Sequence, residues 1–486
     1  MQRTSVIIIG AGFGGLAAAH HLREAGITDL AILERSGEIG GVWRDNTYPG
    51  AACDVPSVLY SWSFEPKADW THRYARQPEI LDYIRERAEA RGLRELVRTS
   101  AEVEGAAWDE ATQTWTVTLA SGEQLTADVV VSAVGQLSRP ALPRIPGLDT
   151  FAGPAFHSAT WDHDVDLRGQ RVGVIGTGAS AIQFVPAIVD EVGALTVFQR
   201  SAPYVVPKPD IVYSERAKRR YGRRPRTHRL TRTNTFRMTE QLNKALDSDG
   251  RLVRVLHRAW RLHLRRQVKD ASLRARLVPD YPLGCKRLLF SNDWYPALTR
   301  SHVDVVTDDI TSIEPAGVRT ADGVLHEFDV LIHGTGFAAT DFLAPMQISG
   351  REGRDLHDEW TGGARAHLGI TVPGFPNFFV LYGPNTNLGG SSIIGMLEAQ
   401  SGYVAQAVRR IGESGAALEV RDDRAAAYDG EMQQRLGDSV WGGCASWYRD
   451  PSGRITTNWP GTVTEYKERT ARFEPSDFRT LERTAS

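Results

Sequence analysis

Two glycine turns, each set between a short β-branched run and a helical stretch, constrain this 486-residue chain more than any other feature. In the first, Val6-Ile7-Ile8-Ile9 has the composition of a buried parallel strand and leads into Gly10-x-Gly12-x-x-Gly15. A helical stretch follows from Gly14 to about Ala25, then a strand, Ala31-Ile32-Leu33, that ends at Glu34. The layout recurs. Val172 to Ile175 leads into Gly176-Thr177-Gly178-Ala179-Ser180-Ala181, a helix to about Val192, and the strand Leu195 to Phe198, closed by Arg200. The first glycine and the final charged residue are 24 positions apart in both copies (10 to 34, 176 to 200). In such a βαβ turn the first glycine permits the tight bend, the second lets backbone N–H groups approach a pyrophosphate, and the third lets helix and strand pack closely. With 46 glycines in the chain a single match carries little weight. Two copies with one offset predict an α/β fold with two doubly wound, Rossmann-like dinucleotide-binding domains.

The closing residues differ in kind. Glu34 is a carboxylate suited to accept hydrogen bonds from the hydroxyls of an adenosine ribose. Arg200 is a guanidinium suited to a ribose 2′-phosphate, with a surface arginine as the other reading. The first turn is therefore expected to hold a cofactor with a free ribose, and the second to prefer NADPH over NADH. Two dinucleotides in one chain suggest electron transfer from NADPH to FAD.

At roughly 150 residues per unit the length suggests about three structural units. Between the two turns, the segment from Thr114 to Gly135 alternates and then becomes apolar, as a hairpin leading into a buried strand does. Ser214 to Leu277 is rich in Arg, Leu and Ala at helical spacing and reads as a helical insertion. Val330-Leu331-Ile332 runs into Gly334-Thr335-Gly336, and one clear helix is expected near Ile393–Ile411. The balance of 57 basic and 59 acidic side chains leaves a net charge of −2, which gives no global field for nucleic acid or an anionic membrane. Arg216 to Arg232 holds nine Arg or Lys residues, but only seven of the 57 basic residues are lysines, so an arginine bias and a solvated helix face account for the stretch. The three cysteines, Cys53, Cys285 and Cys444, are far apart and form no C-x-x-C, which argues against a disulfide framework or a metal site; Cys53 and Cys444 are read as structural. No apolar run reaches the roughly 20 residues of a bilayer span. A reduced, soluble, cytoplasmic protein without stable membrane insertion is expected; its oligomeric state stays open.

Two further strings carry a family resemblance. One runs Gly40-Gly41-Val42-Trp43 through Tyr48-Pro49-Gly50 to Asp54; the other is Phe151-x-Gly153-x3-His157-x3-Trp161-Asp162. Both resemble the fingerprints of type I Baeyer–Villiger monooxygenases, within the class B flavoprotein monooxygenases, and the similarity extends through Lys286-Arg287 and Gly383-Pro384-Asn385 to Trp447 and Trp459. Flavin-containing monooxygenases that oxygenate nitrogen and sulfur carry an aromatic residue and lysine in place of Trp161-Asp162, and such N- or S-oxygenation is the alternative activity. A plain NADPH–flavin reductase is a further one, disfavoured by the missing redox cysteine pair.

The resemblance implies FAD and NADPH as cofactors, O2 and a small-molecule ketone as substrates, and an ester or lactone as product. NADPH reduces the flavin, and oxygen added at its C4a carbon is a nucleophile only while deprotonated, so the site needs a cation that keeps its own proton. Arginine suits this with a pKa above about 12. Arg287 matches the family's catalytic arginine, and Asp54 the carboxylate beside it and the flavin; a turn cap after Pro49-Gly50 is the other reading of Asp54. Lys286 and Ser201 match positions that help hold the 2′-phosphate, with a solvated lysine and a strand-ending serine as duller readings. Trp43 packs beside the flavin or simply in the core. Gly41, Ser180 and Asn385 complete the expected cofactor-binding set with Gly10, Gly12, Gly15, Glu34, Gly176, Gly178 and Arg200. His157 is read as a structural linker histidine. Expected domains are 1–150 and 341–486 for FAD, with 151–340 inserted for NADPH and the helical excursion at about 210–280. A rotation hinged near 140–160 and 335–342 is expected to bring nicotinamide and flavin together.

Overall fold

The computed structural model describes residues 2–246, 250–444 and 446–481. β1 (Gln2–Ile9), α1 (Phe13–Glu24) and β2 (Leu30–Leu33) form the first βαβ unit, and β3 (Gln124–Ser132) lies on the other side of β1. All three strands are parallel, with Ile7 level with Ala31 and with Val130. The second half of β3 also pairs in parallel with Phe378–Val380, so a C-terminal segment of the chain returns to finish this sheet. The first half of β3 pairs antiparallel with Thr114–Leu119, so the expected hairpin and buried strand share one continuous strand. Val103–Asp109 and Gln347–Ser349 extend that edge.

α1 lies between this sheet and α6, introduced below. Ala17, Ala18, Ala19 and Leu16 are fully buried, and small side chains on this helix allow the close approach on both sides.

The second sheet is wholly parallel. Its strands are β4 (Ala155–His157), β5 (Arg171–Ile175), β6 (Ala194–Phe198), β7 (Val303–Val306) and β8 (Val330–His333), in spatial order β7-β6-β5-β8-β4. α2 (Ala181–Ile188) crosses from β5 to β6 and is shorter than expected. Pro186 lacks an N–H for the ladder, and the chain closes in a turn, with Glu191 N donating to Ile188 O, before Gly193. The helical insertion comprises α3 (Glu215–Arg223), α4 (Pro225–Leu246) and α5 (Arg251–Gln267), with a short helix at Ala271–Arg276. Pro225 opens α4, where a missing N–H matters least. A three-stranded antiparallel sheet at Ile310–Glu314, Gly317–Thr320 and Leu325–Glu327 was not anticipated from the sequence. The last long elements are α6 (Ile393–Ser414) and α7 (Val463–Arg469).

Two chain crossings join the sheets, and they pair with each other. Pro140 bridges Phe337 antiparallel, Ala141 N donates to Gly336 O at 2.9 Å, and Ala338 N to Arg139 O at 3.0 Å. The result is a narrow two-strand connection of the kind that can bend without breaking either core.

Candidate active site

The two glycine turns open on one cavity of about 1560 Å³ between the sheets. That exceeds the roughly 300–1,000 Å³ of an ordinary small-molecule site and leaves room for more than one ligand. The turns are built alike. Gly10 has φ +103°, and a Cβ there would lie 2.7 Å from Ala133 O at the end of β3. Gly176 has φ +110°, and a Cβ there would lie 2.3 Å from Gly334 O at the end of β8. In each case the next strand's exit crowds the turn, and only glycine fits. Gly15 is not in the lining of this cavity; a Cβ there would sit 1.8 Å from Gly10 O, so it serves helix–strand packing.

At the first turn Glu34 is buried. Its carboxylate accepts from Ala11 N at 2.9 Å, Ser36 N at 3.0 Å and the Arg44 guanidinium at 3.1 Å. Arg44, unremarked in the sequence, fixes the orientation of this acid. Gly41 backs the turn so closely that a Cβ there would be 3.1 Å from Gly12 Cα. Trp43 lines the cavity and donates from Nε1 to Tyr60 Oη at 3.0 Å.

At the second turn Arg200, Ser201 and Lys286 come together although 286 lies far along the chain. Lys286 Nζ donates to Ser201 Oγ at 3.2 Å and sits 4.3 Å over the Tyr281 ring. Burial lowers the Lys286 pKa, Asp280 pulls it back up, and the Arg200 charge lowers it further. Two cations and a hydroxyl thus share one wall of the cavity, a set that could hold a doubly charged anion. Ser180 stands at the head of α2, lines the cavity without capping the helix, and its side chain hydrogen-bonds with that of Tyr48.

Between the turns, Arg287 grips Asp54 with two hydrogen bonds, Nη2 to Oδ1 at 2.7 Å and Nε to Oδ2 at 3.0 Å, across 233 residues of sequence. The Asp54 carboxylate beside it holds the Arg287 pKa above the usual guanidinium value, so this cation does not surrender a proton. Tyr448, almost wholly buried, hydrogen-bonds with the Arg287 backbone; burial pushes its hydroxyl up to about 12. Tyr382 completes the wall and donates to Asn387 Oδ1 at 2.7 Å.

The first fingerprint proves to be a contact loop between the sheets. Tyr48 Oη donates to Gln183 Oε1 at 3.1 Å, Ala52 N to the same oxygen at 3.2 Å, and Gln183 Nε2 to Ala52 O at 3.0 Å. Gly50, at φ +80°, passes so near α2 that a Cβ would lie 2.8 Å from Gln183 O. Gln183 is invisible to motif reading because its partners lie in the other half of the molecule. The second fingerprint is architectural. His157 is buried and its Nδ1 accepts from Ala159 N at 3.0 Å, Trp161 packs on Phe156 and Phe184, and Asp162 caps Asp164 N.

Two expectations need correction. Asn385 does not line the cavity; its amide donates to Ile455 O at 2.9 Å and Asn458 O at 3.2 Å and ties the C-terminal segment down, while Asn387 faces the cavity. Cys285 and Cys444 form a disulfide across 159 residues, where no pairing was expected; sequence spacing cannot show a bond that the fold creates. Cys53 is free and buried, and burial followed by the Asp54 charge pushes its thiol well up, which makes it inert.

Two nucleotide-binding turns facing one cavity, with a fixed guanidinium between them, define an oxidoreductase of the two-dinucleotide class. Consistent with this, the family described as pyridine nucleotide-disulphide oxidoreductase matches residues 7–220. A Baeyer–Villiger monooxygenase of Streptomyces coelicolor is 44% identical over 99% of this chain and 93% of its own length. Another, from Pseudomonas aeruginosa, is 43% identical over 98% of this chain and 91% of its own. Among solved structures, an oxidized steroid monooxygenase bound to NADP superposes with a TM-score of 0.88 at 31% identity, covering 99% of this chain and all of that one. Cyclohexanone monooxygenase from Rhodococcus sp. Phi1 bound to NADP+ gives 0.89 at 28%, covering 99% of each. The chain belongs to the Baeyer–Villiger monooxygenase family.

Proposed function

We propose that this protein is an FAD- and NADPH-dependent monooxygenase that inserts one atom of O2 beside a ketone carbonyl and releases an ester or lactone. The observation that carries the reading is the bidentate Arg287–Asp54 pair in the cavity shared by both glycine turns. The residues present fit both cofactors. The Gly12–Gly41 cradle and Glu34 suit the pyrophosphate and free ribose of FAD, with Trp43 beside the ring system. Gly176, Gly178 and Ser180 suit the second pyrophosphate, and Arg200, Ser201 and Lys286 a 2′-phosphate. In domain terms, 1–150 with 341–486 holds FAD and 151–340 holds NADPH; the two separate sheets, one mixed and one parallel, support this division.

When bound and reduced by NADPH, the flavin supplies activated oxygen. Arg287 contributes a permanent positive charge, which holds attacking oxygen in its anionic form and stabilises the negative charge that develops on the ketone oxygen. Asp54 fixes the plane of that guanidinium and keeps it protonated. Tyr382 lines the cavity and Tyr448 backs Arg287 from within the core, neither competing for protons, since burial pushes both hydroxyls up. We place the reaction in the cytoplasm, where NADPH is supplied, although the Cys285–Cys444 bond runs against a reducing compartment.

The test is product analysis under labelled oxygen gas with FAD, NADPH, a panel of cyclic, aryl, linear and steroidal ketones, one amine and one thioether. An ester or lactone carrying one labelled oxygen is expected. Labelled N- or S-oxide with no ester from any ketone overturns the reading in favour of heteroatom oxygenation.

A further inference from the structure

The net charge of the chain is −2, yet residues 215–267 hold 17 basic and 4 acidic side chains. On α5 the residues fall into three arcs. Val253, Leu256, Trp260 and Leu264 pack on the second core. Arg258, Arg261 and Arg265 form an exposed stripe in which, among the described residues, none has a carboxylate partner. Beside it Leu252, Val255 and Leu262 are 46%, 56% and 49% exposed. At about 100° per residue these are separate stripes of one helix. α4 repeats the device, with Arg226, Arg229 and Arg237 exposed beside Leu230 (63%), Met238 (64%) and Leu242 (41%). Half of the twelve large hydrophobic side chains exposed among the described residues therefore lie on two helices.

We propose that this helical pair is a peripheral docking face for an anionic lipid bilayer. Arginines at the headgroup level beside apolar side chains that enter the acyl boundary are what an interfacial helix needs. The two competing partners each leave half of the surface unexplained. Nucleic acid would engage the arginines and leave the exposed Leu, Val and Met in water. A second copy meeting through the same face would bury the apolar stripe but oppose two arginine rows that have no carboxylate partner among the described residues. The contact is docking and not insertion, since among the described residues no helix is long and apolar enough to cross a membrane. The face lies outside the catalytic cavity, and an apolar ketone dissolved in lipid would be met where it is most concentrated.

The test is sedimentation of the full-length, FAD-loaded protein with vesicles of phosphatidylcholine alone or mixed with phosphatidylglycerol. Binding to the mixed vesicles only, weakened by salt, is expected. The double variants Val255→Ser/Leu262→Ser and Arg258→Gln/Arg265→Gln should each weaken binding about tenfold or more, with unchanged melting temperature and NADPH oxidation. No binding to the mixed vesicles, or equal binding to both kinds, overturns the proposal without need of any variant. Binding that survives the serine pair in full overturns it as well. So does tighter binding to a duplex oligonucleotide than to vesicles, or a concentration-dependent dimer that the serine pair abolishes.

Discussion

Arg287 is held by two hydrogen bonds to a single carboxylate, so its position depends on one partner. Arg287→Ala is expected to retain FAD and lose about 10²–10³-fold or more in ester formation, read by product analysis; undiminished oxygenation would remove it from the mechanism. Asp54→Asn keeps the shape but removes the charge that sustains the guanidinium, and should lower turnover with little change in KM for NADPH. Arg200→Ala should raise KM for NADPH about 10-fold or more while sparing KM for NADH, as the loss of a charge-assisted phosphate contact requires. Equal effects on the two nucleotides would mean the 2′-phosphate lies elsewhere.

Among elements, the loop from Tyr48 to Asp54 and helix α2 form one mechanical unit: Gln183 holds the loop at Tyr48 and Ala52, and two residues further on Asp54 reaches Arg287. Gly50→Ala forces a Cβ toward Gln183 O in a left-handed backbone. A loss of about 1–3 kcal/mol in stability is expected, together with lower turnover, measured by thermal melting and steady-state rate. Gln183→Ala should be milder for stability but still reduce turnover, because it frees the loop that carries Asp54. The glycine turns, the strands after them and the long helix α6 are all legible in the sequence, because their determinants are local. Gln183, Arg44, Tyr448 and the antiparallel sheet at 310–327 are not, because their partners or their packing surfaces lie far away in the chain.

At the scale of the molecule, two cores are joined by the paired crossings at 139–141 and 336–338. A cross-link engineered between the two cores away from the loop–α2 unit should hold the sheets in one relation and abolish turnover; full activity in the locked form refutes the motion. The pH dependence of stability has a source beside the same connection. His333, on β8 next to His157, is held neutral by burial and by its neighbour, its pKa lowered from 6.5 to about 4. The unfolded chain takes up this proton near pH 6.5 and the folded chain only near 4, so the stability that neutrality confers is complete above pH 6.5 and falls as pH drops toward 4. The contribution amounts to about 3 kcal/mol. His333→Asn should flatten the melting temperature against pH over that window, and an unchanged slope would exclude this histidine as its source.

The sequence by itself determined the two βαβ units, the contrast of carboxylate and guanidinium at their ends, and, through the fingerprint residues, the family. These are decided within some 25 residues of chain, where strand propensity, glycine freedom and a fixed offset act locally. The resemblance implied that Arg287 stands beside Asp54 and that Lys286 and Ser201 share a phosphate site with Arg200, and the packed fold supplies their contacts; only the tertiary structure decided that Cys285 pairs with Cys444 and that Asn385 anchors the C-terminal segment instead of facing the cavity. It also decided that Arg258, Arg261 and Arg265 of the helical insertion have no carboxylate partner among the described residues, since pairing and burial are properties of surfaces that exist only after the cores have packed.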